Sequence, residues 1–421
     1  MPRSSIRFAD VVGIAGYTAL VLAAGCGGGG GGPRFPGVVG DTISIAALLP
    51  LSDAVAVIGK PIAAGMQIYA RRLNEAGGIA GKYQLKVLEE DFTYANPSTG
   101  AQKYQKVKSE VALFGTILGT DPVNAVLPLL AEDSVVAIPT TFDIQWVRER
   151  FLLPWGPPYQ LWAANGVAYY LSQPGNAGRR MCSLVLATGY GEAGAEGIEF
   201  AAKDLGFEVA VRATFRQDDQ DFVAPITQLK NGGCEGVLLA SLPGVTGKVL
   251  GAAAQLGFAP RWIGLGPTWH QSLVKSPLID YYEKNLWVSV PTRQWGDTTA
   301  AGMQAMVAAI AKYSPTQEPD LYFGFGFLVA QTAHALLEEA VRRGDLSRAG
   351  ILAATETVQV GYEGLWPEYR YGTPATREPP RSNGIFRVKR TQPGGLESIA
   401  VGYSSPPAAK YPIPASHSAT P

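Results

Sequence analysis

Between residues 41 and 265, short apolar runs alternate with amphipathic stretches, and the whole alternation occurs twice. Residues 42–49 (TISIAALL) read as a buried strand. A loop over 50–59 leads into residues 60–76, where Ile62, Met66, Tyr69 and Leu73 share one helical face. Gly77 and Gly78 end that helix. Residues 83–89 predict a strand, 97–110 a helix, 111–118 a strand, 124–132 a short helix, and 135–138 a strand stopped by Pro139. Such a succession needs right-handed crossovers, and therefore a parallel sheet with helices on its faces. Residues 152–160 (LLPWGPPYQ) read as a passage between two lobes, after which the pattern restarts. The second set has strands at 183–187, 208–215, 236–240 and 262–265. Its helices are 193–205, one bearing Phe222, Ile226 and Leu229, and 246–256. Three further helices, 299–313, 322–344 and 346–355, are expected to complete the first layer. Strands follow at 385–388 and 398–402, and a low-complexity tail, 405–421, is expected to be disordered.

A chain of 421 residues exceeds one ordinary core. Its 35 basic and 35 acidic residues cancel, so nothing in the balance favours nucleic acid or an anionic membrane surface. The three histidines are His270, His334 and His417; no HExxH, GxSxG or P-loop pattern occurs, and no Cys/His cluster suggests a metal. The expectation is a protein that is not an enzyme and needs no cofactor or metal.

Arg3 and Arg7 precede an apolar run at 11–24, the length of a signal-peptide core and too short for a membrane span. The run ends Leu22-Ala23-Ala24-Gly25-Cys26, which resembles a bacterial lipobox with Cys26 as the lipidated residue. The usual pattern has Leu where Ala23 stands; the alternative is an ordinary secretory signal with a chance cysteine. On the lipoprotein reading, residues 1–25 are removed, acyl chains on Cys26 anchor the protein outside the cytoplasm, and the Gly-rich stretch 26–40 is a tether.

Four segments carry a family resemblance. They are 45–79 with its "PLS" loop and "NEAGGI" ending, 115–139 ("GTILGT…VLPLL…IP"), Thr188-Gly189-Tyr190-Gly191 before a helix, and 221–258 ("DF…I..LK..G…LGF"). In this order they resemble the type I periplasmic binding proteins, specifically the leucine/isoleucine/valine-binding branch. The resemblance implies an α/β fold of two doubly wound parallel-sheet lobes joined by three crossovers. Lobe one would be 41–155 plus 291–362, and lobe two 156–290 plus 363–404. It also implies a small-molecule ligand bound by lobe closure, delivery to an ABC permease and its ATPase, and a monomer. A lipoprotein that senses ligand and signals through a separate membrane partner is the alternative.

Open α/β sheets bind ligands beyond the carboxyl ends of their strands. That rule selects Gly119 and Thr120 before a helix, and Thr140 and Thr141 after the fourth strand, where the family's carboxylate contacts also fall. In lobe two it selects Tyr190, Ser241 and Trp269, and in the first loop Ser52. Each of these also fits ordinary turn, cap or core packing. Amino-acid binders of the family often place an acid near the equivalent of Tyr190, and here Ala187 to Tyr190 has none. Asp121, Asp143 or Glu192 would have to replace it, so an α-amino acid is a doubtful ligand, and amides and aromatic or aliphatic acids stay open. Finally, Cys182 and Cys234 begin and precede strands that are neighbours in a 2-1-3 sheet, near enough for a disulfide closing a loop of about 50 residues. Two buried free thiols are the alternative.

Overall fold

The computed structural model describes residues 35–415. The signal segment 1–25, Cys26, the tether as far as residue 34, and residues 416–421 lie outside the described residues. Within them, no helix is long and apolar enough to cross a membrane.

The first lobe runs β1 (Val38–Val39), β2 (Thr42–Leu49), α1 (Ala56–Glu75), β3 (Gln84–Asp91), α2 (Pro97–Val107), β4 (Leu113–Leu118), α3 (Thr120–Asp133) and β5 (Ala137–Thr140). Strands β3, β2, β4 and β5 lie side by side in parallel, and β1 adds an antiparallel pair at the start of β2. Ile43, Ile45 and Leu48 of β2 have no exposed surface. Full burial of such side chains contributes about 1.5–3 kcal/mol each.

The second lobe runs α4 (Tyr159–Ser172), β6 (Met181–Leu186), α5 (Gly189–Leu205), β7 (Val209–Phe215), α6 (Val223–Asn231), β8 (Gly236–Ala240), α7 (Pro243–Gln255), β9 (Arg261–Leu265), α8 (Ile279–Asn285) and β10 (Leu286–Val290). Then come α9 (Ala301–Tyr313), α10 (Leu321–Arg342), α11 (Arg348–Ala354), the short pair β11 (Gln359–Val360) and β12 (Tyr369–Arg370), β13 (Asn383–Val388), β14 (Leu396–Tyr403) and α12 (Pro406–Lys410). The second sheet has the order β14-β13-β10-β9-β8-β6-β7; its last five strands are parallel and β13 and β14 antiparallel. The chain passes between the sheets after β5, after β10 and before β13.

Helix α10 returns to the first lobe and packs along α1. The two backbones touch. A Cβ on Gly326 would stand 2.0 Å from the Ile62 carbonyl oxygen, and one on Gly65 2.2 Å from that of Phe323. Only glycine permits this approach. It fixes the first turns of α10 against the end of the sheet.

Two sequence expectations need correction. Residues 159–172 form a helix that periodicity did not reveal. The helix is buried from Tyr159 to Ala168 without a break, so it has no polar stripe to mark it. The tail is ordered through residue 415. Ser405 caps α12 by accepting from the Ala408 N–H, its own N–H donates to Asn165 Oδ1 at 2.7 Å, and Arg381 donates to the Ala408 and Tyr411 carbonyls. Ser followed by Pro at the first helical position is a helix-start signal that low complexity concealed.

Cys182 of β6 and Cys234, just before β8, are joined by a disulfide with Cα atoms 5.8 Å apart. Parallel pairing of β6 with β8 places them side by side.

Candidate functional site

The carboxyl ends of both sheets face one cavity. Its lining comes from β-strand ends and from the first turns of α1 and α10: Val55, Ile58, Ile62, Tyr94, Leu118, Gly119, Thr140, Thr141, Phe142, Tyr159, Tyr190, Leu242, Pro267, Tyr322 and Phe325. About 410 Å³ of space, open in part to solvent, lies among these residues, and little of it is wide enough for a water molecule. The lobes are thus drawn tightly together, and a solute larger than water needs the rings or the lobes to move.

No Asp, Glu, Lys, Arg or His is among these residues. Polarity comes from hydroxyls. Thr140 Oγ1 is bound to Thr116 Oγ1 at 2.5 Å and is occupied within the sheet. Thr141 Oγ1 stands 3.0 Å from Thr120 Oγ1 and donates to the Tyr159 hydroxyl at 3.4 Å. Tyr190 donates to the Ser241 carbonyl at 3.3 Å, and Tyr322 to the Trp269 carbonyl at 2.7 Å. Among the described residues the Tyr94 hydroxyl meets no hydrogen-bond partner. Burial raises the pKa of Tyr94, Tyr159, Tyr190 and Tyr322, so all four are neutral donors over the physiological range.

Gly119 precedes α3 with φ of 100°, a conformation open to glycine, and the Tyr94 ring lies where its Cβ would stand. Of the first-turn amides of α3, Pro122 has none and that of Val123 donates to the Gly119 carbonyl, which leaves the N–H groups of Thr120 and Asp121 beside the Tyr94 ring.

Of the sequence candidates, Gly119, Thr140, Thr141 and Tyr190 line this cavity. Thr120 is buried, its hydroxyl 3.0 Å from that of Thr141 and its methyl against Gly189 of the other lobe. Ser52 is exposed and hydrogen-bonds Asp91. The Ser241 hydroxyl pairs with Thr246 Oγ1 at 2.6 Å. Trp269 is fully buried and its indole N–H donates to the Gly394 carbonyl at 3.0 Å, so its backbone, not its ring, supports the site. None of the three acids considered for an ammonium is in the lining. Asp121 accepts from the Gly189 N–H across the cleft at 3.1 Å. Asp143 accepts from Gln145 and Gln160, with burial pushing its carboxyl up. Glu192 is exposed on α5.

Sequence reasoning missed Tyr94, Tyr159, Tyr322 and Phe325. Tyr94 follows the end of β3 and obeys the strand-end rule. Tyr322 and Phe325 share an i, i+3 face of α10, indistinguishable from core in the sequence alone.

Residues 42–393 match the model of the family described as periplasmic binding protein. No curated protein matches the chain. Among solved structures, a fatty acid ABC transporter substrate-binding protein from Thermomonospora curvata superposes with a TM-score of 0.84 at 21% identity, covering 91% of this chain and 97% of that one. A branched chain amino acid ABC transporter protein from Thermus thermophilus with bound valine gives 0.76 at 16% identity, covering 89% and 99%. The branched-chain amino acid transporter substrate binding protein LivJ from Streptococcus pneumoniae, in complex with isoleucine, gives 0.67 at 18%, covering 85% and 99%. At these identities the superpositions establish the fold. With the family match spanning most of the chain and the cavity lying between two lobes, this protein belongs to the type I periplasmic binding proteins, which act outside the cytoplasm as binding proteins and not as enzymes.

Proposed function

We propose that the protein captures a small, largely apolar monocarboxylate, aliphatic or aromatic, and delivers it to an ABC importer from a lipid anchor on Cys26. The observation that carries the ligand class is a lining of apolar, aromatic and hydroxyl-bearing side chains with no charged group. An α-amino acid would bring an ammonium into this space with no anion to meet it, at a cost of several kcal/mol. A carboxylate is better served. The Tyr94 hydroxyl is an unspent donor, the Thr141 hydroxyl becomes one by turning from its long 3.4 Å bond to Tyr159, and the Thr120 and Asp121 N–H groups start α3 beside Gly119. Ile58, Ile62, Leu118 and Phe325 offer an apolar wall for the tail. Support for the importer role comes from the transporter proteins that the fold matches, one of them described as a fatty acid binder.

The test is a thermal-shift screen of the full chain against amino acids, amides, aromatic acids and short to medium fatty acids. A ligand at about 100 times its Kd stabilises by roughly 2.7 kcal/mol. Shifts confined to monocarboxylates are expected. A shift with leucine or valine as large as with any fatty acid would overturn the ligand class. Metabolic labelling with an alkyne fatty acid tests the anchor; it should vanish in Cys26→Ser.

A further inference from the structure

We propose that His270 and Asp320 form a latch across the cleft that holds the lobes together and sets how long a ligand is retained. The proposal rests on closure as the binding event, and not on which solute is bound.

His270 belongs to the second lobe, five residues beyond the end of β9, and Asp320 caps α10 in the first. Both are buried, at 7% and 1% exposure. His270 Nε2 lies 3.1 Å from Asp320 Oδ2. His270 Nδ1 accepts from the Ser272 N–H at 3.1 Å and is 2.7 Å from the Ser272 hydroxyl. That pattern assigns the proton of the neutral ring to Nε2, the nitrogen facing Asp320. Oδ2 accepts no hydrogen bond among the described residues, and the His270 Nε2–H stands beside it at 3.1 Å, off the line of a hydrogen bond. The attraction between the carboxylate and this N–H dipole acts only while the lobes are shut, because the two residues belong to different lobes.

The same carboxylate acts on the cavity. Oδ1 accepts from the N–H groups of Tyr322 and Phe323, at 2.6 and 3.1 Å. Tyr322 lines the cavity, its hydroxyl reaches the Trp269 carbonyl in the other lobe at 2.7 Å, and its ring is parallel to that of His270 with centroids 6.0 Å apart. Asp320 thus fixes the backbone end of Tyr322 while residues 269 and 270 fix its far end from across the cleft. Both are positioning residues. An exposed pair, Lys275 Nζ with Glu318 at 3.1 Å, continues the seam but sits in water and adds little.

The experiment is hydrogen exchange by mass spectrometry on the full chain in mild detergent, with no ligand added, for His270→Ala, Asp320→Asn and the double variant. Asn at 320 keeps a capping oxygen for α10 and removes the charge. The Gly189 N–H, bonded to Asp121 across the cleft, reports on closure. It lies two strands from β9, about 10 Å away by the sheet spacing. Opening of the latch is expected to speed exchange about tenfold at residues 187–191 as well as at 266–275 and 318–325. The double variant should do no more than the stronger single one, because both remove one contact. Faster exchange confined to 266–275, no change in any of the three segments, or additive effects in the double variant would each overturn the latch. Because no solute is used, a wrong ligand class would leave these outcomes untouched.

Discussion

Replacing Gly189 by Ala should separate binding from folding. Gly189 opens α5 in the second lobe, and the three atoms nearest to a Cβ there all belong to the first. They are Thr120 Cγ2 at 2.6 Å, Asp121 Oδ1 at 2.9 Å and Thr120 Cβ at 3.3 Å. The tightest approach is about 0.8 Å short of the 3.4 Å at which ordinary contact begins. Nothing within its own lobe is that close, so the clash exists only when the lobes are shut. Relief requires Thr120 to turn or the cleft to open, and opening also breaks the Gly189 N–H bond to Asp121. Overpacking of this size costs about 1–3 kcal/mol. Charged entirely to the closed state, that weakens binding by about 5- to 140-fold at 1.4 kcal/mol per decade. The open state is untouched, and Gly→Ala at a compatible helical position stabilises folding by up to about 1 kcal/mol. Calorimetric titration with octanoate and a melting curve on the same sample make the assay. The expected pattern is weaker binding with an unchanged or higher Tm. Parental affinity in Gly189→Ala would refute the claim that ligand binding draws the lobes this close.

Tyr94→Phe should weaken octanoate binding by about 3- to 10-fold without lowering Tm, since the lost hydroxyl bonds nothing in the protein; a titration and a melting curve check both. Replacing Cys182 and Cys234 together by Ala removes a bridge across 52 residues of sequence, a loss of about 4 kcal/mol on the chain-entropy estimate, read as the denaturant midpoint. Affinity for octanoate should be flat from pH 6 to 9, because the cavity's titratable groups are tyrosines held neutral by burial. The same burial pushes Tyr362 up to about 12. Its folded pKa lies above the unfolded value of about 10, so its contribution to stability is intact below pH 10 and lost as pH rises toward 12. Alkaline unfolding followed by circular dichroism should show the loss in that window.

The alternation of short apolar runs with helical faces made the two-lobed α/β architecture legible, because parallel crossovers leave few other arrangements. Strand adjacency put Cys182 and Cys234 within bridging range but left two free thiols as an alternative, and the structure joins them. The strand-end rule reached Gly119, Thr140, Thr141 and Tyr190 for the same reason: it depends on topology and not on side-chain packing. Where the lining depended on packing, sequence was blind. Trp269 stands at a strand end like the others, yet its ring turns away to the Gly394 carbonyl while its own carbonyl serves Tyr322. Helix α4 carries no periodic signal because all its faces are covered, and Tyr159 was missed with it. Tyr94 and Tyr322 stand more than two hundred residues apart in the chain and meet only because α10 folds back onto α1 through Gly65 and Gly326.

The central claim is that a cavity with no charged side chain in its lining holds an apolar monocarboxylate. A crystal structure of the protein grown with octanoate tests it most directly. The account predicts density between the lobes, with the carboxylate at Tyr94, Thr141 and the start of α3, and the alkyl chain along Ile58, Ile62 and Phe325. Density outside this cleft would contradict it, as would an amino acid displacing octanoate with its ammonium held by an acid.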